Sequence, residues 1–69
     1  MKEDFDTLEE AKAYLDKILG MKGKIYSDWR NGYQIGYFSP TGQEIIVYKF
    51  TKCVADGFCF NKATGFYPS

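Results

Sequence analysis

Apolar residues recur at helical spacing only near the start of this chain. Leu8, Ala11, Leu15, Ile18 and Leu19 form one stripe, with Tyr14 beside it and Glu9, Lys12, Asp16 and Lys17 turned to water. The pattern predicts a helix over about 7–19. Asp6 or Thr7 is placed to cap its free amides, and Glu9 or Glu10, three residues on, closes a capping box. Acidic residues in the first turn suit the positive end of the helix dipole. Gly20 supplies the left-handed stop.

Beyond Gly20 the period changes to two. Short alternating runs predict strands over about 24–30, 33–38, 43–51 and 58–61, separated by turn signals. Asn31-Gly32 reads as a two-residue type I′ turn, whose central residues need positive φ. Ser39-Pro40-Thr41-Gly42 suits a type I turn. Asp56-Gly57 and Lys62-Ala63-Thr64-Gly65 read as two more turns, with Phe66-Tyr67 closing the chain. The expected architecture is α+β: one N-terminal helix on a four-stranded, twisted antiparallel sheet. It forms a single domain over 1–69.

Turn lengths set the expected registers. If Phe38 pairs with Gln43, Ile35 faces Ile46 and Tyr33 faces Tyr48. One face then carries Tyr33, Ile35, Tyr37, Ile46, Tyr48 and Phe50, the natural partner for the helix stripe. The opposite face carries Gln34, Gly36, Phe38, Ile45 and Val47 and is still half apolar. Gly36, inside a strand, makes room for a neighbouring ring. A bulge near Thr51-Lys52 would turn Cys53, Phe58 and Phe60 toward the helix.

Eleven of the thirteen aromatic residues lie between Tyr26 and Tyr67. That is more ring surface than one short helix covers, so the sheet should curl, pair with another copy or offer a face to a partner. A chain of 69 residues holds one small core. Self-association is one expected way to supplement it. Formal net charge is zero, which gives no global signature for nucleic acid. The charge is uneven, however. Residues 1–20 hold six acidic and three basic side chains, net −3, and residues 21–69 hold three and six, net +3. Ordinary helix and sheet composition accounts for this split; the sharper reading is a weakly basic sheet surface that meets an acidic partner. No apolar run reaches the length of a membrane span, and a charged N-terminal stretch has no signal-like core. The expected location is the cytoplasm, with no membrane partner.

Most catalysis is excluded by composition. Without histidine there is no Ser-His-Asp or Cys-His pair and no imidazole metal site. Cys53 and Cys59 do not have C-x-x-C spacing; across an Asp56-Gly57 hairpin they are diagonal neighbours, expected first to be reduced, small buried hydrophobes, with a disulfide or reactive thiols as the alternatives. The acidic residues form no glycosidase-like pair, and the glycines fit no phosphate-binding loop. No enzyme activity, cofactor or metal is expected.

Binding is what remains. Trp29 and Arg30 beside a hairpin tip are typical interface anchors. With Tyr33, and with Phe38, Ile45 and Val47 on the second face, they are the candidate partner-binding residues. The expected function is a small protein-binding module or inhibitor acting through the sheet face, the hairpin tip or an edge strand. The alternative is single-stranded nucleic-acid binding, with sheet aromatics as a stacking platform near Lys24, Arg30, Lys49 and Lys52. In size and composition, though in no motif, the chain is similar to short αβ proteins of phages and mobile elements.

Overall fold

The computed structural model describes residues 2–28, 32–53 and 57–65. Their elements run β1 (Asp4–Phe5), α1 (Leu8–Leu19), β2 (Lys24–Asp28), β3 (Gly32–Phe38), β4 (Glu44–Lys52) and β5 (Phe58–Gly65). The class is α+β, with one helix on an antiparallel sheet.

The helix begins as its sequence predicts. Thr7 is the N-cap, and its hydroxyl accepts from the Glu10 amide at 3.0 Å. Glu10 reaches back to accept from the Asp6 amide at 3.3 Å. Gly20 ends the helix at φ +64°. Leu8, Ala11 and Leu15 are buried, whereas Ile18, expected in the same stripe, is 52% exposed.

Among the described residues the sheet has five strands rather than the four expected, in the order β1-β5-β4-β3-β2. β1 was not legible because two residues carry no periodicity. It exists through its partner: Asp4 pairs with Cys59 and Phe5 with Phe58. β5 is longer than expected. Lys62 to Gly65, which read as a turn, instead pair with β4, from Lys49↔Lys62 to Ile46↔Gly65. Pairing with a long neighbour here outweighs the local turn preference of Ala63-Thr64-Gly65. The β2–β3 register also differs from the expected one: Tyr33 pairs with Ser27 and Gly32 with Asp28, so Tyr33 does not face Arg30. Gly32 does adopt positive φ, +86°, but Asn31 lies outside the described residues. So do Asp56 of the next expected turn and the expected closing pair, Phe66 and Tyr67.

The β3–β4 hairpin reaches the expected faces by an unexpected route. Gly42 donates to the Ser39 carbonyl, as the turn signal predicts, and Ser39 donates to the Gln43 carbonyl. Phe38 therefore pairs with Glu44, one residue later than expected. A one-residue slip alone would turn every core side chain of β4 to the wrong side. The register shifts again between Tyr37 and Phe38, leaving Ile45 as the extra residue of a bulge. From there Tyr37 pairs with Ile46, Ile35 with Tyr48 and Tyr33 with Phe50. Two single-residue offsets add to two, and the alternation returns to the predicted faces. The second bulge falls between Lys49 and Phe50, with Asn61 extra in β5. It lies further up the hairpin than the Thr51-Lys52 bulge expected from the sequence.

The core is Phe5, Leu8, Ala11, Leu15, Ile35, Tyr37, Tyr48 and Phe50, with Phe58 and Phe60 packed against it. Its rings meet edge to face, as Tyr37 does with Tyr48 and Phe50 with Phe60. Asp16, expected to face water, joins helix to sheet instead. Its Oδ1 accepts from the buried Tyr37 hydroxyl at 2.8 Å and from the Gly23 amide at 2.8 Å, and its Oδ2 accepts from Lys12 Nζ at 2.7 Å. Gly23 is required here because a Cβ would sit 2.7 Å from the Tyr37 ring. Burial alone would raise the Asp16 pKa. The hydrogen bonds from Lys12, Tyr37 and Gly23, with the Lys12 charge, outweigh it and hold the carboxyl below its ordinary value. Tyr37 is pushed up, first by burial and then by its bond to the Asp16 carboxylate.

Candidate functional site: an open sheet face and a cysteine corner

α1 and the core occupy one side of the sheet, and the other side is open. Residues paired across strands share a face. The open side is therefore built in rows: Lys24, Gly36, Val47 and Thr64 in one, Tyr26, Gln34, Lys49 and Lys62 in the next. Phe38 and Glu44 form a third row at one corner. Gly36 sits beneath two rings, as the sequence predicts. A Cβ there would lie 3.2 Å from Tyr26, 3.4 Å from Phe38 and 3.1 Å from the Glu44 carboxylate. Tyr26 and Phe38 meet edge to face at 6.3 Å, and Lys24 Nζ lies 5.9 Å from the Tyr26 centroid.

The middle of this side is basic, and its described acidic residues stand at two corners, Glu44 beside Phe38 and Asp4 in the row of Thr51 and Cys59. Lys24, Lys49 and Lys62 stand on this side, and none of the three makes an ion pair among the described residues. Lys49 and Lys62 are direct cross-strand partners. Placing like charges opposite one another is destabilising, so the pair is a cost to the fold that an acidic ligand would offset. Four further acidic residues, Asp6, Glu9, Glu10 and Asp16, belong to α1 and its entry.

Of the candidate residues read from the sequence, the fold brings few together. Phe38 stands on the open face, half-buried beside Tyr26. Val47 is on that face but only 4% exposed, so it forms the floor rather than a contact. Ile45 was expected beside them, but as the bulge residue it packs against the core. Tyr33 lies on the helix side, with its ring 5.0 Å from that of Phe58. Trp29 and Arg30 lie outside the described residues. Sequence reasoning missed Tyr26 and the Lys49–Lys62 pair. The first depends on the register of β2 against β3 and the second on the unexpected length of β5.

A second cluster sits where β1 meets the β4–β5 hairpin. Cys53 and Cys59 are joined by a disulfide, with Cα atoms 5.4 Å apart. This corrects the expectation of reduced thiols buried like small hydrophobes; both residues are half-buried. The cause is the observed register, in which Cys59 pairs with Thr51 and the Cys53 amide donates to the Gly57 carbonyl at 2.9 Å, so that both cysteines stand on one face. The cysteines are diagonal neighbours, as their spacing around the turn suggests, on one face and within bonding reach. A bond across a sequence separation of 6 closes a short loop and should contribute about 2 kcal/mol. Urea unfolding with and without reductant is expected to differ by that amount, and the Cys53→Ser/Cys59→Ser protein should match the reduced form.

Among the described residues no helix is long and apolar enough to cross a membrane. No family model, curated protein or solved structure matches this chain.

Proposed function

We propose that the chain is a non-catalytic binding module whose open sheet face takes an acidic surface of another protein. The observation that carries this reading is the lysine set Lys24, Lys49 and Lys62, without an ion pair among the described residues, on the same face as the Tyr26–Phe38 ring pair. Rings supply contact area at low entropic cost, and long lysine side chains steer and orient an acidic partner. An inhibitor is one form such a module takes. We place this work in the cytoplasm, where the reducing environment would hold Cys53 and Cys59 mainly as thiols.

A second reading, single-stranded nucleic acid on the same face, is favoured by one specific feature, basic side chains beside two rings on a sheet. Against it, the pair presents few stacking surfaces. Tyr26 is only 36% exposed, and Phe38 meets it edge to face.

The test is affinity capture with the Lys49→Glu/Lys62→Glu protein beside the wild type, after nuclease treatment. Removing like-charge repulsion with one glutamate, or placing two glutamates there, should leave the fold intact within about 1 kcal/mol. The wild type is expected to retain a protein partner and the doubly substituted chain to lose it by tenfold or more. Equal capture by both would remove the open face from the account.

A further inference from the structure

Asp4, Cys53 and Cys59 come from three separate segments and meet on one side of the sheet. Asp4 and Thr51 are both cross-strand partners of Cys59, so the three share a row, and Cys53 lies two residues beyond Thr51 on the same face. One carboxylate oxygen and the two sulfurs lie within 4.8 Å of one another. They line a recess of about 330 Å³ that also takes in Lys2 and Asp6.

The placement of β1 is tightly held. The Phe60 amide donates to the Glu3 carbonyl at 2.7 Å. Gly57 packs so closely on β1 that a Cβ would stand 2.6 Å from the Phe5 carbonyl oxygen. A larger residue at 57 would push the strand, and Asp4 with it, away from the sulfurs. The approach of an exposed carboxylate to two cysteines is thus built into the backbone.

We propose that the reduced chain is a zinc site, with the Cys53 and Cys59 thiolates and the Asp4 carboxylate as three ligands and water as the fourth. The disulfide and the metal are then alternative fates of one cysteine pair. A reductant of the glutathione or dithiol class opens the bond by exchange. Two reductant thiols become one disulfide, and the Cys53–Cys59 disulfide takes up two electrons and two protons to give two thiols. Zinc displaces those two protons as it binds, with no change in oxidation state. Two sulfurs and one oxygen at a four-coordinate site suit zinc, whereas calcium and magnesium require more oxygens than the recess offers. Zinc–sulfur bonds of about 2.3 Å at a tetrahedral angle set the sulfurs about 3.8 Å apart. Side-chain rotation supplies that spread on Cα atoms 5.4 Å apart. The sequence spacing gave no hint of this set, because its oxygen ligand is some fifty residues away in the chain.

The test uses the full chain, reduced with a phosphine under anaerobic conditions, titrated with Co²⁺ and then with Zn²⁺. Far-ultraviolet circular dichroism is followed in parallel. The expected result is one Co²⁺ per chain with thiolate-to-cobalt charge transfer, displaced by Zn²⁺. Asp4→Asn and Gly57→Ala should each weaken binding tenfold or more. The oxidised chain and the Cys53→Ser/Cys59→Ser chain should give no such band. If reduction unfolds the chain, Zn²⁺ is expected to refold the wild type and not the doubly substituted chain. A folded reduced chain without the band, two chains per ion, affinity unchanged by Asp4→Asn, or an unfolded reduced chain that Zn²⁺ does not refold would each overturn the proposal.

Discussion

Replacing Tyr37 by alanine is expected to lower the unfolding free energy by about 3–5 kcal/mol. For a chain of this length the whole stability is about 3–10 kcal/mol, so the variant should sit at or past the edge of folding at 25 °C. Tyr37 is fully buried, packs edge to face on Tyr48 and donates its hydroxyl proton to Asp16. Truncation opens a cavity at the centre of the sheet and removes one of the bonds that fix α1 against it. Tyr37→Phe separates the two contributions. The ring stays, only the hydrogen bond to a charged acceptor is lost, and the expected cost is about 1.5–3 kcal/mol.

The same substitution changes the acid response. Asp16 has a depressed pKa in the folded chain. Its contribution is therefore fully present above the ordinary value of 3.8 and is lost as pH falls through the lower folded value. Without the Tyr37 hydroxyl, the folded pKa should move back toward 3.8 and the acid-dependent loss should shrink. Denaturant melts between pH 2 and pH 6, on wild type and Tyr37→Phe, measure this. Parallel curves would show that Asp16 does not couple helix to sheet.

The second large effect is expected at Phe50. Its ring is 1% exposed and meets both Phe5 and Phe60 edge to face. It is the point at which β1, β4 and β5 share one packing surface. Phe50→Ala should cost about 3–5 kcal/mol, and it should loosen β1 more than β2. Amide exchange is the readout: protection in β5 opposite β1 should fall first. A loss of less than about 1.5 kcal/mol would mean that the rings on this side of the sheet are not the core.

The faces of β3 and β4 were legible in the sequence because large apolar residues recur at every second position over Tyr33–Tyr37 and Ile46–Phe50. The registers were not. Turn residues locate a hairpin but do not count the residues in its mouth, and a bulge at Ile45 leaves no mark on a period-two pattern until the partner strand is known. The same blindness hid β1, two residues whose only reason to be a strand is the free edge of β5. It also misplaced Asp16, whose helical position reads as exposed until the Gly23 connection folds back over it. At the candidate site, Phe38 and Gly36 could be placed from alternation alone. Tyr26, Lys49 and Lys62 could not, since their shared row depends on three cross-strand pairings between segments distant in sequence.

The most direct test of the open face is photocrosslinking in lysate, with a photoreactive phenylalanine analogue at position 26 and, separately, at position 17 on the exposed outer side of α1. A discrete nuclease-resistant protein adduct from position 26, absent from position 17, is the result predicted here. Adducts from position 17 alone, or an adduct at position 26 that nuclease removes, would contradict an open sheet face that binds protein.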